Sequence, residues 1–462
     1  MGRRPAPFPR TDRRRDDGSR TGGRSMKRVL IIAADFAPSS LPPALRARFF
    51  ARELPAFGWE PIVLTVDPSC YSAPVDHEMR ALLPESLDVI RTAALAERLT
   101  RRLGIGDIGL RSLWHHWRTM RDLVRRERID AVLISVPPYA SMLLGRAAHR
   151  LGVPYVIDYI DPWRTAPYWR LPPDRRPPKW PLAYALARLI EPGVVRRAAH
   201  LTAVSAGTLD LVRAHYPSID VETTEIPYGG DAADFAYLRA HPRRHGVFDP
   251  GDGFVHVSYV GACIPAMADT LRAVFEGLRR LKDDAPNVAS RLRLHFVGTT
   301  YAPGGVDRSV VMPLARAAAV DGLVDERQAR VSYLDALQIM LDSAGLLVVG
   351  SDAPHYTASK IFPCILARRP LLAVFHEESS VVAILRETSA GTVASFGAAG
   401  PQHAAPVVRD WLATVTNGTP PPATHWDRFE QYTTRAMAQR LARVFDRISR
   451  APAVAAGAHA AV

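Results

Sequence analysis

The sequence predicts an α/β protein of two doubly wound, parallel-sheet domains facing each other across a cleft. Short β-branched runs alternate with longer amphipathic stretches from Arg28 almost to the end of the chain, the pattern of strands joined by crossover helices. The 462 residues exceed what one hydrophobic core organises, so two domains are expected. The alternation is broken once, over residues 236–253, by a stretch rich in His, Arg, Pro, Gly and Asp that reads as a linker.

In the first half, strands are expected at Val29 to Ala33, Pro61 to Val66, Leu87 to Arg91, Ala131 to Val136, Tyr155 to Asp158 and Leu201 to Val204. Helices fill the gaps at residues 42–57, 109–128, 139–151, 182–199 and 206–215. The second half repeats the scheme with strands at Val255 to Val260, Leu292 to Val297, Ala329 to Ser332, Leu346 to Val349, Leu371 to Phe375 and Thr392 to Ala394. Trp426 to Ile448 reads as a final helix, with apolar residues at helical spacing and arginines between them. The expected organisation is a basic disordered arm (1–25), an N-terminal domain (26–235), a linker (236–253), a C-terminal domain (254–425), the helix (426–450) and an Ala-rich tail (451–462).

The formal charge of +13 is partly local. Residues 1–25 carry eight arginines against three aspartates and lack the apolar stretch of a secretory signal. No apolar run approaches the roughly 18 residues needed to cross a bilayer. Three dispersed cysteines without a CxxC argue for a reducing compartment and against a structural zinc site. A cytoplasmic location follows as the expectation.

The most informative stretch runs from Ser343 to Phe375. Leu346 to Val349 is a buried strand, broken by Gly350, Ser351, Asp352, Ala353 and Pro354. Ser359 is expected to cap the helix that follows, with Lys360 adding a positive charge to its N-terminal dipole, a combination suited to phosphate.

Several segments, in order and spacing, resemble the family 4 glycosyltransferases of the GT-B fold over about residues 26–450. They are Val29 to Pro38 with Leu54 to Thr65, Asp158-Tyr-Ile-Asp161-Pro-Trp163, Val204-Ser205, Ile226 to Asp231, His295 to Gly298, and Ser359-Lys360 to Pro370. The resemblance implies two Rossmann-like domains, a nucleotide sugar in the C-terminal one, an acceptor in the N-terminal one and retention at the anomeric carbon. It places the donor phosphates against Ser359 and Lys360, with Gly261 and Gly298 admitting the donor to the backbone. The family's usual pair of glutamates is replaced by His355 and Pro363, and the usual cation after the first C-domain strand is missing until Arg272. Lys360 is then left to carry more of the phosphate charge.

Sugar transfer needs charge stabilisation on the departing diphosphate and an oriented acceptor hydroxyl. The sequence has no Asp-x-Asp pair to hold a divalent cation, so no metal or other cofactor is expected, and Lys360 with backbone N–H groups is the candidate electrophile, the alternative being a solvated lysine at a helix start. Asp161, after a strand of the first domain, is the candidate to orient the acceptor or act as base, and His355 to contact the sugar. Asp161 is equally readable as a turn residue before Pro162, and His355 as an exposed loop histidine.

Five of the eight tryptophans lie between Trp114 and Trp180, interleaved with arginines in the 109–128 helix and in the Pro-rich loop from Trp163 to Trp180. This mixture suits anionic lipid headgroups or stacking on sugars, and an ordinary core helix with a solvated charged face accounts for much of it. The expected partners are a nucleotide sugar, a lipid-linked or polysaccharide acceptor and an anionic membrane surface, with no nucleic acid. The rival readings are a nucleotide-sugar epimerase of the same fold and a non-catalytic protein binding an anionic surface.

Overall fold

The computed structural model describes residues 26–72, 75–100, 106–164, 180–300, 309–351, 358–418 and 420–450. The expected basic arm, the loop over 165–179, His355 and the tail from 451 lie outside the described residues.

The N-terminal sheet has seven parallel strands in the order β3-β2-β1-β4-β5-β6-β7. They are β1 (Lys27–Ile32), β2 (Trp59–Val66), β3 (Asp88–Thr92), β4 (Ala131–Val136), β5 (Tyr155–Tyr159), β6 (His200–Ala203) and β7 (Thr223–Glu225). The second sheet has six, in the order β10-β9-β8-β11-β12-β13. These are β8 (Val255–Val260), β9 (Leu292–Val297), β10 (Val324–Arg327), β11 (Gly345–Val349), β12 (Leu371–His376) and β13 (Thr392–Phe396). In each sheet the order reverses beside the first strand, between β1 and β4 and between β8 and β11, where such sheets form a ligand crevice at their carboxyl edge.

The central strands are apolar on both faces because helices cover both. In β1, Val29 and Ile31 join one core while Leu30 and Ile32 join the other, as the period-2 alternation of a strand requires. One face is covered by α1 (Pro42–Glu53); the other by α2 (Ile108–Arg126), α3 (Leu143–Arg150), α4 (Trp180–Val195) and α5 (Ala206–His215). The second sheet carries α6 (Ala232–Ala240), α7 (Ala268–Asp284), α8 (Val311–Ala317), α9 (Tyr333–Asp342), α10 (Ile361–Leu366), α11 (Ser380–Thr388) and α12 (Ala405–Thr416).

Four expectations differ from the structure. The strand expected at Ala329 to Ser332 lies instead at Val324–Arg327, an edge strand whose Asp325 and Arg327 face solvent and so leave no β-branched run to read. The last helix is broken: a turn at Trp426–Phe429 and a 3-10 turn precede α13 (Thr434–Arg450). Its Leu441, Val444 and Phe445 pack back onto the N-terminal sheet beside α1, Trp59 lying 5.1 Å from Phe445. The linker expected at 236–253 begins inside α6, whose Phe235 and Leu238 are buried in the second domain. The chain crosses between domains at Gly230 and again near Thr433, and the crossings are joined by hydrogen bonds from Gly230 N–H to Tyr432 O (2.8 Å) and from Thr434 N–H to Gly230 O (3.0 Å). Ser359, finally, does not cap α10: Lys360 occupies the cap position and no side chain bonds the helix end.

Candidate functional site

A cavity of about 240 Å³ lies between the two sheets, bounded by the start of α1, the crossing segment Tyr228 to Asp231, and the loops at the carboxyl ends of β8, β9 and β11. The four residues expected to hold donor phosphates, Gly261, Gly298, Ser359 and Lys360, all line it. Gly261 follows β8 with φ 141° and Gly298 follows β9 with φ 72°, backbone conformations that favour glycine. A Cβ on Gly261 would stand 2.5 Å from Lys360 Nζ. The lysine therefore occupies the space that this glycine leaves.

Lys360 points inward, not along the helix axis. Its ammonium donates to the Tyr259 hydroxyl at 2.5 Å and lies 4.2 Å from the Tyr259 ring centre. Among the described residues no carboxylate pairs with it. Burial pushes its pKa down to about 8, since a desolvated ammonium releases its proton more easily. Part of the side chain still lines the cavity while the charged tip is enclosed by the Tyr259 ring and two buried cysteines, Cys263 and Cys364. Arg330 lines the same cavity.

On the opposite wall, Asp161 stands just beyond β5 on the exposed rim and is not among the lining residues. Partial desolvation nonetheless raises its carboxyl above the ordinary value. Asp158, three residues earlier, is structural: Arg46 grips it through Nε at 2.7 Å and Nη2 at 2.9 Å, and Thr202 donates to it at 2.7 Å.

Two polar groups were missed in the sequence, and the first of them lines the cavity. Tyr228 lines the cavity, its ring 5.5 Å from the Arg46 guanidinium, and its hydroxyl is buried without a hydrogen-bond partner among the described residues. Burial raises that hydroxyl's pKa, and Asp158 and Asp161 raise it further. The segment Pro227-Tyr-Gly-Gly230 reads as a turn, and only its position at the domain crossing shows that the tyrosine faces the cleft. Asp35, beyond β1, is pushed up to about 6, first by burial and then by Asp107.

The walls are held by a knot of buried charge. Arg48 of α1 donates to Asp234 of α6 at 2.9 Å, and Tyr333 of α9 donates to the same carboxylate at 2.7 Å. Arg52 pairs with Asp231, and the Tyr333 N–H donates to Asp76 at 2.6 Å. Arg243 bridges Glu78 (2.7 Å) and Asp335 (2.8 Å) farther out. The links made by Arg48, Arg52, Asp76 and Glu78 tie the first domain to the second, while those of Tyr333 to Asp234 and Arg243 to Asp335 brace the second domain's side of the knot.

Two Rossmann-like sheets facing across a cleft, each with its crevice turned inward, make this the GT-B class of fold. Residues 43–229 match the family described as a glycosyl transferase 4-like domain. Among solved structures, the UDP-forming α,α-trehalose-phosphate synthase of Burkholderia vietnamiensis is similar at a TM-score of 0.57 and 12% identity, over 92% of this chain and 98% of the other. Anabaena HepE, solved in complex with UDP, is similar at a TM-score of 0.51 and 13% identity, over 91% of this chain and 100% of the other. At these identities the likeness speaks to the fold. A comparison with curated proteins finds no match. No described helix is long and apolar enough to cross a membrane.

Proposed function

We propose that the enzyme moves a sugar from a nucleoside diphosphate sugar, held against Gly261, Gly298, Ser359 and Lys360, to a lipid-linked or polysaccharide acceptor presented from the Asp161 side. The observation that supports this best is Lys360: a desolvated cation with no carboxylate partner among the described residues, standing in the cleft at the carboxyl edge of the second sheet. A diphosphate would supply the missing counter-charge.

In the reaction the acceptor oxygen bonds to the anomeric carbon as the bond from that carbon to the phosphate oxygen breaks. The electron pair leaves on the diphosphate, where the Lys360 ammonium offsets the growing charge in place of a metal ion. The acceptor proton passes to the departing phosphate oxygen or to Asp161, whose raised pKa suits a proton acceptor. Retention of configuration is part of the reading through the family resemblance, and the site of action is the inner face of the cytoplasmic membrane. His355 keeps its proposed contact with the sugar on sequence grounds alone.

Incubation with a panel of radiolabelled nucleotide sugars, with and without lipid extract, tests the reading. Label transferred to lipid or polysaccharide is the expected result. Product formed without acceptor would point to an epimerase, and absence of any donor binding would overturn the enzyme assignment.

A further inference from the structure

Among the described residues twelve large apolar side chains are exposed, and seven of them belong to one flank of the N-terminal domain. Leu182, Leu186 and Leu189 project from α4 at 64%, 42% and 78% exposure, Trp114 from α2 at 63%, and Leu110 from the first turn of α2. Leu95 and Leu99 lie beside that turn, since Leu95 N–H donates to Arg111 O at 3.0 Å. Three of the seven follow i, i+4 and i+7 spacing on α4 and so form one stripe. The opposite side of the same helix buries Ala187, Val194 and Val195 in the core. A helix that is apolar on both sides has an outward face that remains to be covered.

Charge decides what covers it. The only acidic residue of α4, Glu191, is turned inward and accepts from Tyr159 (2.9 Å) and Tyr216 (2.6 Å), so the outward face carries no carboxylate. Arg188, Arg196 and Arg197 flank it, and Arg118 and Arg125 are exposed on α2, with Arg150 at the end of α3, which packs between the other two helices. A second copy docking isologously would bring these arginines together, like charge on like.

The flank also adjoins the acceptor side of the cleft. Helix α2 begins against Pro138 at the carboxyl end of β4, where a Cβ on Gly109 would meet Pro138 at 3.0 Å. Helix α4 follows in the chain from β5 and Asp161.

We infer that this flank docks on a membrane surface of anionic lipid, its leucines and Trp114 entering the interface and its arginines meeting headgroup phosphates, so that a lipid-linked acceptor reaches the cleft without leaving the bilayer. The inference rests on the acceptor reading above and adds the face that delivers the acceptor.

Co-sedimentation with phosphatidylglycerol-containing vesicles, against pure phosphatidylcholine, tests it. The full chain should sediment with the anionic vesicles, less so as salt rises. Replacing Leu182, Leu186 and Leu189 together by Ser should lower the partition coefficient about tenfold or more, whereas Val407→Ser on the second domain should leave it unchanged. All variants should keep the melting temperature and UDP affinity of the parent, which separates failure of docking from failure of the donor site. Equal partitioning of parent and triple variant would overturn the inference. So would no binding to either vesicle, or a dimer by light scattering that the leucine changes abolish.

Discussion

Two buried arginine or lysine centres lie within the same cleft region, and they are built on opposite principles. Arg48 is enclosed with its charge matched: Asp234 and Asp231 face it, and Tyr333 completes Asp234. Lys360 is enclosed with its charge unmatched among the described residues, touching a neutral hydroxyl and an aromatic face. Burying an ion without a counter-ion destabilises a fold, so such a group persists where something other than stability selects it. The titration behaviour differs accordingly: the carboxylate partners hold Arg48 above its ordinary value against the pull of burial, while burial draws Lys360 down to about 8. The matched charge holds the domains together, and the unmatched one is the centre to which the proposed function assigns the donor diphosphate.

Breaking the matched centre should give the largest effect. Arg48→Ala leaves Asp234 buried without its main partner and is expected to lower unfolding stability by about 3–5 kcal/mol in denaturant titration. The double variant Arg48→Met with Asp234→Leu should recover most of that loss. A small loss in the single variant would show that the knot is not what ties α1 to α6 and α9.

Lys360→Met should do the reverse, removing a desolvated charge without loss of stability while nucleoside diphosphate affinity drops by about 2 kcal/mol, or roughly 30-fold. A melting-temperature decrease as large as that of Arg48→Ala would erase the distinction between the two centres.

Tyr228→Phe is the smallest expected perturbation. It removes one buried hydroxyl that has no partner among the described residues from the cavity wall, so stability should hold or rise slightly while turnover falls about tenfold at unchanged nucleoside diphosphate affinity. Full turnover in this variant would take Tyr228 out of the reacting region.

The fold was legible because the central strands of both sheets are covered on both faces and so read as uninterrupted apolar runs. Ala131–Val136, Val255–Val260 and Leu292–Val297 coincide with their predicted limits. The edge strands β7 and β10 were not legible: short, with charged residues facing solvent, they carry no apolar run, and pairing with a neighbour alone makes them strands. Gly261, Gly298, Ser359 and Lys360 were placed on one cavity by pattern and resemblance, but the direction of the Lys360 side chain was not. It depends on Tyr259 and on the absent Cβ at Gly261, nearly a hundred residues away in sequence. Arg46, Arg48 and Arg52 were invisible as ion-pair residues for the same reason. Arginines next to Phe49 and Phe50 in α1 offered the one available signal, because a charged residue on an apolar helix face needs a buried partner.

The most direct test is a calorimetric titration, across pH 6.5 to 9.5, of the best-binding nucleoside diphosphate into the parent protein and Lys360→Arg. Only the protonated lysine attracts the diphosphate, and its pKa in the free protein lies at about 8. Parent affinity should therefore be constant below that value and fall as pH rises through it, while the arginine variant, charged throughout, should show no such fall. Parent affinity that stays flat to the alkaline limit, or an identical decline in both proteins, would contradict the assignment of Lys360 to the donor phosphates.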